Sequence, residues 1–270
     1  MSQTVLYSVD PRGVATLTIN RPEVHNAFDD NVIEALIANL EQASASPEVR
    51  VLVLRSEGKN FSAGADLNWM RRMAENDRAE NLKDAGRLAR LMQLLNDLPK
   101  PTIALVQGAA YGGAVGLAAC CDMVVALEKS QFCLSEVRIG LIPAVISPYV
   151  NQAIGERQAR RYFLTAEPFS SSQAQQWGLV HEVVAEHAQL DEVKEQLIVK
   201  LLGNSPQAIG AAKALIFAVS QKPIDNAVII DTSERIADIR VSDEGQEGLN
   251  SFLQKRKPNW VQPSPSDSEK

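Results

Sequence analysis

The sequence predicts an α/β fold on three observations. Apolar runs of buried-strand type alternate with segments of helical spacing, one strand–glycine turn–helix–strand unit follows another, and the chain from Leu190 on reads as helix. The first unit is Val49 to Gln107. Thr102 to Cys133 echoes it around a Gly112-Gly113 turn, as a repeat of structure rather than of sequence. With 270 residues, 45% of them hydrophobic, the chain can bury a sizeable core.

Val5–Asp10 and Val14–Asn20 alternate in polarity around Pro11-Arg12-Gly13, which reads as a hairpin. The polar turn RPEVHNAFDD leads into a helix from Asn31 to Ala43, with Ile33, Ile37 and Leu40 at helical spacing. Val49–Arg55 is a buried-type strand followed by the glycine-bearing loop Phe61–Asp66, and open α/β sheets place ligands at the carboxyl end of such strands. Asp66–Met73 starts a helix, polar Ala74–Arg78 interrupts it as a candidate flap, and helix resumes over Ala79–Leu98. Pro99 and Pro101 impose an extended lead into the strand Thr102–Val106. A small-residue helix from Tyr111 to Cys121 and a strand from Met123 to Leu127 come next. Helices Ala144–Ile154, Glu156–Thr165 and Ser170–Trp177 precede a short strand, His181–Val184. The helical end comprises Leu190–Leu202, Pro206–Val219, Ile224–Val241 and Asp243–Gln254, and the Pro/Ser-rich stretch 261–270 reads as disordered. Three regions follow: a core over 1–190, a helical oligomerisation region over 191–260, and the tail.

Lys plus Arg total 27 against 33 Asp plus Glu, a net charge of −6 that argues against general nucleic-acid binding. No apolar run reaches the roughly eighteen residues of a membrane span, and no charged-then-apolar leader opens the chain, so the expected compartment is the cytoplasm. Cys120, Cys121 and Cys133 have no paired metal or redox spacing, and no metal site is expected.

The chemistry concentrates between Gly108 and Glu136. A glycine pair at a strand-to-helix turn lets backbone approach a ligand closely and aims unpaired N–H groups at it, which favours negative charge. Glu136 is followed by Val137, Ile139, Leu141 and Ile142, and a carboxyl in apolar surroundings holds a proton near neutral pH. By residue type alone, Gly112-Gly113 could equally serve close helix–strand packing.

At FSAGADL, GGAVGLAACCD, SEVRIGLIP and FLQKRKPNW the chain resembles the enoyl-CoA hydratase/isomerase family, the crotonase fold, in one colinear order over residues 5–260. The resemblance implies ββα units coiled into a spiral, and C-terminal helices that build a homotrimer, commonly doubled to a hexamer. It implies an acyl-CoA thioester as substrate and no separate cofactor, coenzyme A being part of the substrate. The family's oxyanion hole, two backbone N–H groups that stabilise the thioester enolate, maps onto Ala65 and Gly113. One such donor is worth about 3 kcal/mol where measured elsewhere. Family hydratases hold water between two glutamates; the second falls on Glu136 and the first on Gly116, which has no side chain to do acid–base work.

For the substrate, the resemblance assigns contacts to His25, Ala27, Ala63, Asp66 and Leu67, and an aromatic and a cation from the C-terminal helix to Phe252 and Lys255. Taken by residue type, Phe252 also fits a core contact and Lys255 a solvated helix end. LSEVRIGLIPAVISPYV and AGADLNWM look like the branch that hydrates 3-methylglutaconyl-CoA in leucine breakdown, or its isoprenoid analogue γ-carboxygeranoyl-CoA. Arg71, Arg72 and Arg138 are available for such a substrate's distal carboxylate. Two alternatives stand beside this hydratase: a double-bond isomerase using the single Glu136, and a catalytically silent binding protein.

Overall fold

The computed structural model describes residues 3–261; the expectation of disorder over 261–270 falls, Val261 apart, outside them. The chain divides into two compact units. The first runs to Leu98 and again over Thr102–Glu195, and the second comprises Pro99–Pro101 and the chain from Gln196 on.

In the first unit a six-stranded sheet has the order β1-β2-β3-β4-β6-β9, from β1 (Val5–Val9), β2 (Val14–Ile19), β3 (Val51–Ser56), β4 (Thr102–Val106), β6 (Met123–Leu127) and β9 (Glu182–Val184). Only the hairpin β1–β2 is antiparallel; every later neighbour is parallel. Parallel strands covered on both faces read as continuous apolar runs, and all five residues of β4 are buried. Helix α1 (Asp30–Ala45) turns Val32, Ile33, Leu36, Leu40 and Ala43 inward, and the Asp29 carboxylate caps its start by accepting from the Val32 N–H at 2.8 Å.

The interruption expected over 74–78 narrows to Asn76 and Asp77, between α2 (Leu67–Glu75) and α3 (Arg78–Asn96). Asp77 and Glu80 form a reciprocal capping box there, so the break is a second helix start rather than a loop. The helix expected from Tyr111 begins at Gly113, as α4 (Gly113–Cys120), because β5 (Ala109–Tyr111) pairs with β7 (Gln131–Cys133). With β8 (Phe169–Ser170) these form a second sheet, β5-β7-β8, whose strands of two or three residues are too short to carry a readable period. The two helices expected on either side of Gly155 are α5 (Ser147–Thr165), broken at Gly155 by φ 77°, ψ 153°. α6 (Ser171–Trp177) ends in Gly178 at φ 94°.

α7 (His187–Leu202) leads out of the first unit. The second holds α8 (Pro206–Val219), α9 (Asn226–Val241) and α10 (Asp243–Leu253), capped by Ser205, Asp225 and Ser242. The chain after α10 is pinned back by Arg256, whose two Nη atoms each lie 2.6 Å from a carboxylate oxygen of Glu247. No helix among the described residues is long and apolar enough to cross a membrane.

Candidate active site

The carboxyl end of β3 delivers the loop Phe61–Asp66, and two sets of backbone hydrogen bonds fix it. On one side Ser62 N–H donates to Ala109 O at 2.9 Å and Tyr111 N–H to Ser62 O at 3.0 Å, tying the loop to β5. On the other, Phe28 N–H donates to Gly64 O at 2.8 Å and Asp66 N–H to Phe28 O at 2.7 Å. This second pattern places Ala65 between the two bonds, so its own N–H points the other way, and it has no acceptor among the described residues. Gly64 makes the approach possible: φ is 95°, and a Cβ there would stand 3.2 Å from Tyr111 O.

The second donor comes from the start of α4. Gly112 N–H donates to Cys133 O at 2.8 Å, which holds the turn against β7. Gly113, the first helical residue, keeps a free N–H among the described residues, as the first turn of a helix must unless something caps it. Gly112 adopts φ 55°, ψ −121°, and a Cβ there would stand 3.2 Å from Oε1 of Glu136. The acid is thereby drawn close to the turn.

Glu136 opens a short 3-10 turn, Glu136–Ile139, that closes on Gly140 at φ 75°. Burial pushes its carboxyl above the ordinary glutamate range, outweighing a hydrogen bond from its own backbone, and Oε2 is buried with no partner among the described residues. Ile139, Leu141 and Ile142 are 56%, 52% and 72% exposed, on the rim of the pocket that Glu136 lines.

That pocket encloses about 750 Å³ and brings together Ala63, Ala65, Leu67, Gly113 and Glu136 of the residues expected from sequence. Its remaining walls are largely apolar, with Phe28, Trp69, Met73, Leu88 and Ile146 among them, and Asp84 is the other charged lining residue. Among the described residues neither Lys nor Arg lines it, and the three candidate arginines are engaged elsewhere: Arg71 with Asn68 and Arg72 with Asp30, both at 2.6 Å, and Arg138 with Ala166 O at 2.6 Å.

Asp66 has a supporting place beside the pocket. It caps α2, accepting from the Asn68 and Trp69 N–H groups, while its other oxygen lies 3.1 Å from Arg21. Burial would raise its carboxyl, but those amides and the guanidinium outweigh it and hold it below the usual carboxylate range. Arg21 also pairs with Asp29 at 3.3 Å and donates to Ala27 O at 2.8 Å. His25 is exposed at φ 54°, its Nδ1 3.1 Å from the Asn60 amide, and its carbonyl accepts from Ala63 N–H at 3.0 Å. The organiser of this loop is Asn26, fully buried, whose amide donates to Glu57 O and Asn60 O. Phe252 and Lys255 belong to the second unit, Phe252 81% exposed on α10 and Lys255 just beyond it at φ 54°.

Sequence reading missed Ile146. A Cβ on Gly116 would stand 2.2 Å from Ile146 Cγ2 and 2.8 Å from its Cβ, so this buried side chain fills the room that any side chain at 116 would need. Nothing in the spacing of the two positions signals the contact. Among the described residues, no group of three His, Cys, Asp or Glu side chains is placed to hold a metal.

A family model described as enoyl-CoA hydratase/isomerase matches residues 10–263. An enoyl-CoA hydratase from Shewanella pealeana superposes with a TM-score of 0.92 at 49% identity, covering 95% of this chain and 96% of that one. The 2,3-dehydroadipyl-CoA hydratase of Escherichia coli is 35% identical, over 92% of this chain and 94% of its own. The trans-2-decenoyl-[acyl-carrier-protein] isomerase of Streptococcus mutans is 30% identical, over 95% of this chain and 97% of its own.

Proposed function

The chain belongs to the enoyl-CoA hydratase/isomerase family, and from that premise we propose that it adds water across the 2,3 double bond of an enoyl-CoA thioester. The free N–H groups of Ala65 and Gly113 act as the oxyanion hole. As water oxygen bonds to C3, the π electrons shift toward the thioester oxygen, and two preset donors stabilise that charge without reorganising. Glu136 takes the proton released by the water and delivers it to C2. The observation that carries this reading is the unpartnered, buried Oε2 of Glu136 in the same pocket wall as the two free donors. Burial sets the carboxyl toward the pH range in which one group can both accept and return a proton.

The substrate we infer is branched and carries a distal carboxylate, of the 3-methylglutaconyl type. This draws on the segment LSEVRIGLIPAVISPYV and on the Escherichia coli relative, named for a dehydroadipyl thioester, which bears a second carboxyl group. In this reading the substrate's carboxylate, or a water it holds, takes part of the role that Gly116 cannot fill. The family match gives contacts with the coenzyme A portion to His25 and Ala27, and gives an aromatic and a cation to Phe252 and Lys255 of a C-terminal helix that often comes from a neighbouring subunit; coenzyme A enters only as part of the substrate. A homotrimer, or a hexamer made of two, is supported by the apolar side chains the second unit exposes, Ile224 at 90% and Val241 at 77% among them.

A second reading, double-bond isomerisation, is favoured by the Gly116–Ile146 contact, because one carboxylate suffices to carry a proton between C2 and C4. Absorbance of the conjugated enoyl thioester separates the readings. Hydration makes it fall from a 2-enoyl-CoA, isomerisation makes it rise from a 3-enoyl-CoA, and a silent binding protein does neither. Equal rates for 3-methylglutaconyl-CoA and for an analogue lacking the distal carboxylate would remove the assisting role of that group.

A further inference from the structure

Helix α3 turns one face toward the pocket. Asn81, Asp84, Ala85 and Leu88 line it at positions i, i+3, i+4 and i+7, the spacing of a single helix face. Met92 continues that row one turn on, its Cε 3.3 Å from where a Cβ on Gly116 would stand. Asp84 precedes Met92 by two turns, which puts it about 12 Å back along the helix axis. That is too far along the wall to replace the acid missing at 116. The coenzyme A contacts given to His25 and Ala27 belong to another loop, so the α3 wall is left to the acyl chain beyond the double bond.

This wall offers acceptors. The Asp84 side chain is 20% exposed, and its carboxylate makes no hydrogen bond among the described residues. Arg87 Nη1 stands 3.9 Å from Asp84 Oδ1, beyond hydrogen-bond reach, while its Nε lies 3.0 Å from Glu34 on α1. The Asn81 amide donates to Met73 O and Asn76 O, both at 3.2 Å, and its Oδ1 has no donor among the described residues. Lysine and arginine are missing from the described lining. Acceptors in an otherwise apolar wall complement a donor, and an acid with no cation close against it repels a second carboxylate.

We propose that Asp84, with Asn81 one turn before it, is a specificity-determining residue that favours acyl chains carrying a hydroxyl donor beyond the reacting double bond and disfavours those with a carboxylate at that place. This rests on the acyl-CoA reading above, and it concerns a group farther out than the carboxylate assigned there to the role of Gly116.

The test is calorimetric titration of the full chain with saturated, unreactive thioesters that differ only at the chain end: octanoyl-CoA, 8-hydroxyoctanoyl-CoA and 7-carboxyheptanoyl-CoA, with their six- and ten-carbon counterparts. At one length or more the hydroxyl should bind about tenfold more tightly than the methyl end, and the carboxylate more weakly than the methyl end. D84N keeps the shape of the side chain and removes the charge. It should raise the affinity of the carboxylate relative to the methyl end about tenfold and shrink the preference for the hydroxyl. Should D84N misfold, D84S removes the same charge and carries the same expectation. A parent that ranks the hydroxyl no higher than the methyl end at every length, or the carboxylate no lower, overturns the inference, as does a ranking that removal of the charge leaves unchanged. Binding of octanoyl-CoA alongside any of these results leaves the acyl-CoA reading standing; failure of every thioester to bind removes that reading and this inference together.

Discussion

Gly112 and Gly116 lie one helical turn apart at the start of α4 and lack a side chain for opposite reasons. At Gly112 the bare backbone lets the turn sit 3.2 Å, measured from the position of a Cβ, from Oε1 of Glu136. At Gly116 the same construction meets Ile146 Cγ2 at 2.2 Å. One glycine keeps a polar approach open and the other makes room for an apolar side chain. The lack of a second acid on this helix is therefore matched by packing: a carboxylate at 116 is excluded by Ile146 and not merely absent from the sequence.

The sharpest way to break that contrast is G116E. It forces a carboxylate into Ile146 and should cost on the order of 4 kcal/mol, read from the denaturant midpoint. I146A alone should cost about 3 kcal/mol by leaving a cavity, and combined with G116E it should cost less than the two added together, which measures the contact directly. If the costs simply add, the two positions are independent and the contrast fails. G112A should cost about 2 kcal/mol, since alanine must adopt φ 55°, ψ −121°, and it should also slow turnover by pushing on Glu136.

The smallest effect concerns pH. Burial raises the Glu136 carboxyl in the folded protein, so the folded state holds this proton more strongly than the unfolded one. The resulting stability is complete below the ordinary glutamate range and is lost as pH rises through the raised value. E136Q cannot ionise and should escape that loss. Its melting temperature relative to the parent should climb between acid and neutral pH, and a constant difference would show that the carboxyl is not perturbed.

What the sequence made legible follows from range. Continuous apolar runs marked the parallel strands, and helix starts expected at Asn31 and Asp66 fall within a residue or two of those observed, where Asp29 and Asp66 supply the caps. The pairing of the loop at Ser62 with Ala110, which sets the two free amides in one pocket, joins residues far apart in the chain and leaves no local period. The raised Glu136 carboxyl was legible from its apolar neighbours, but its approach to the turn at Gly112 was not, since those two segments lie far apart in the chain. Arg21 and Asn26, which fix the loop beside the pocket, look in sequence like ordinary polar turn residues.

The most direct test is to measure enoyl-CoA hydration and acyl-CoA binding side by side in E136Q. With the two main-chain donors intact, binding should stay within a few-fold of the parent while turnover falls by about 10² to 10⁴. Hydration at the parental rate would contradict the assignment of proton transfer to Glu136.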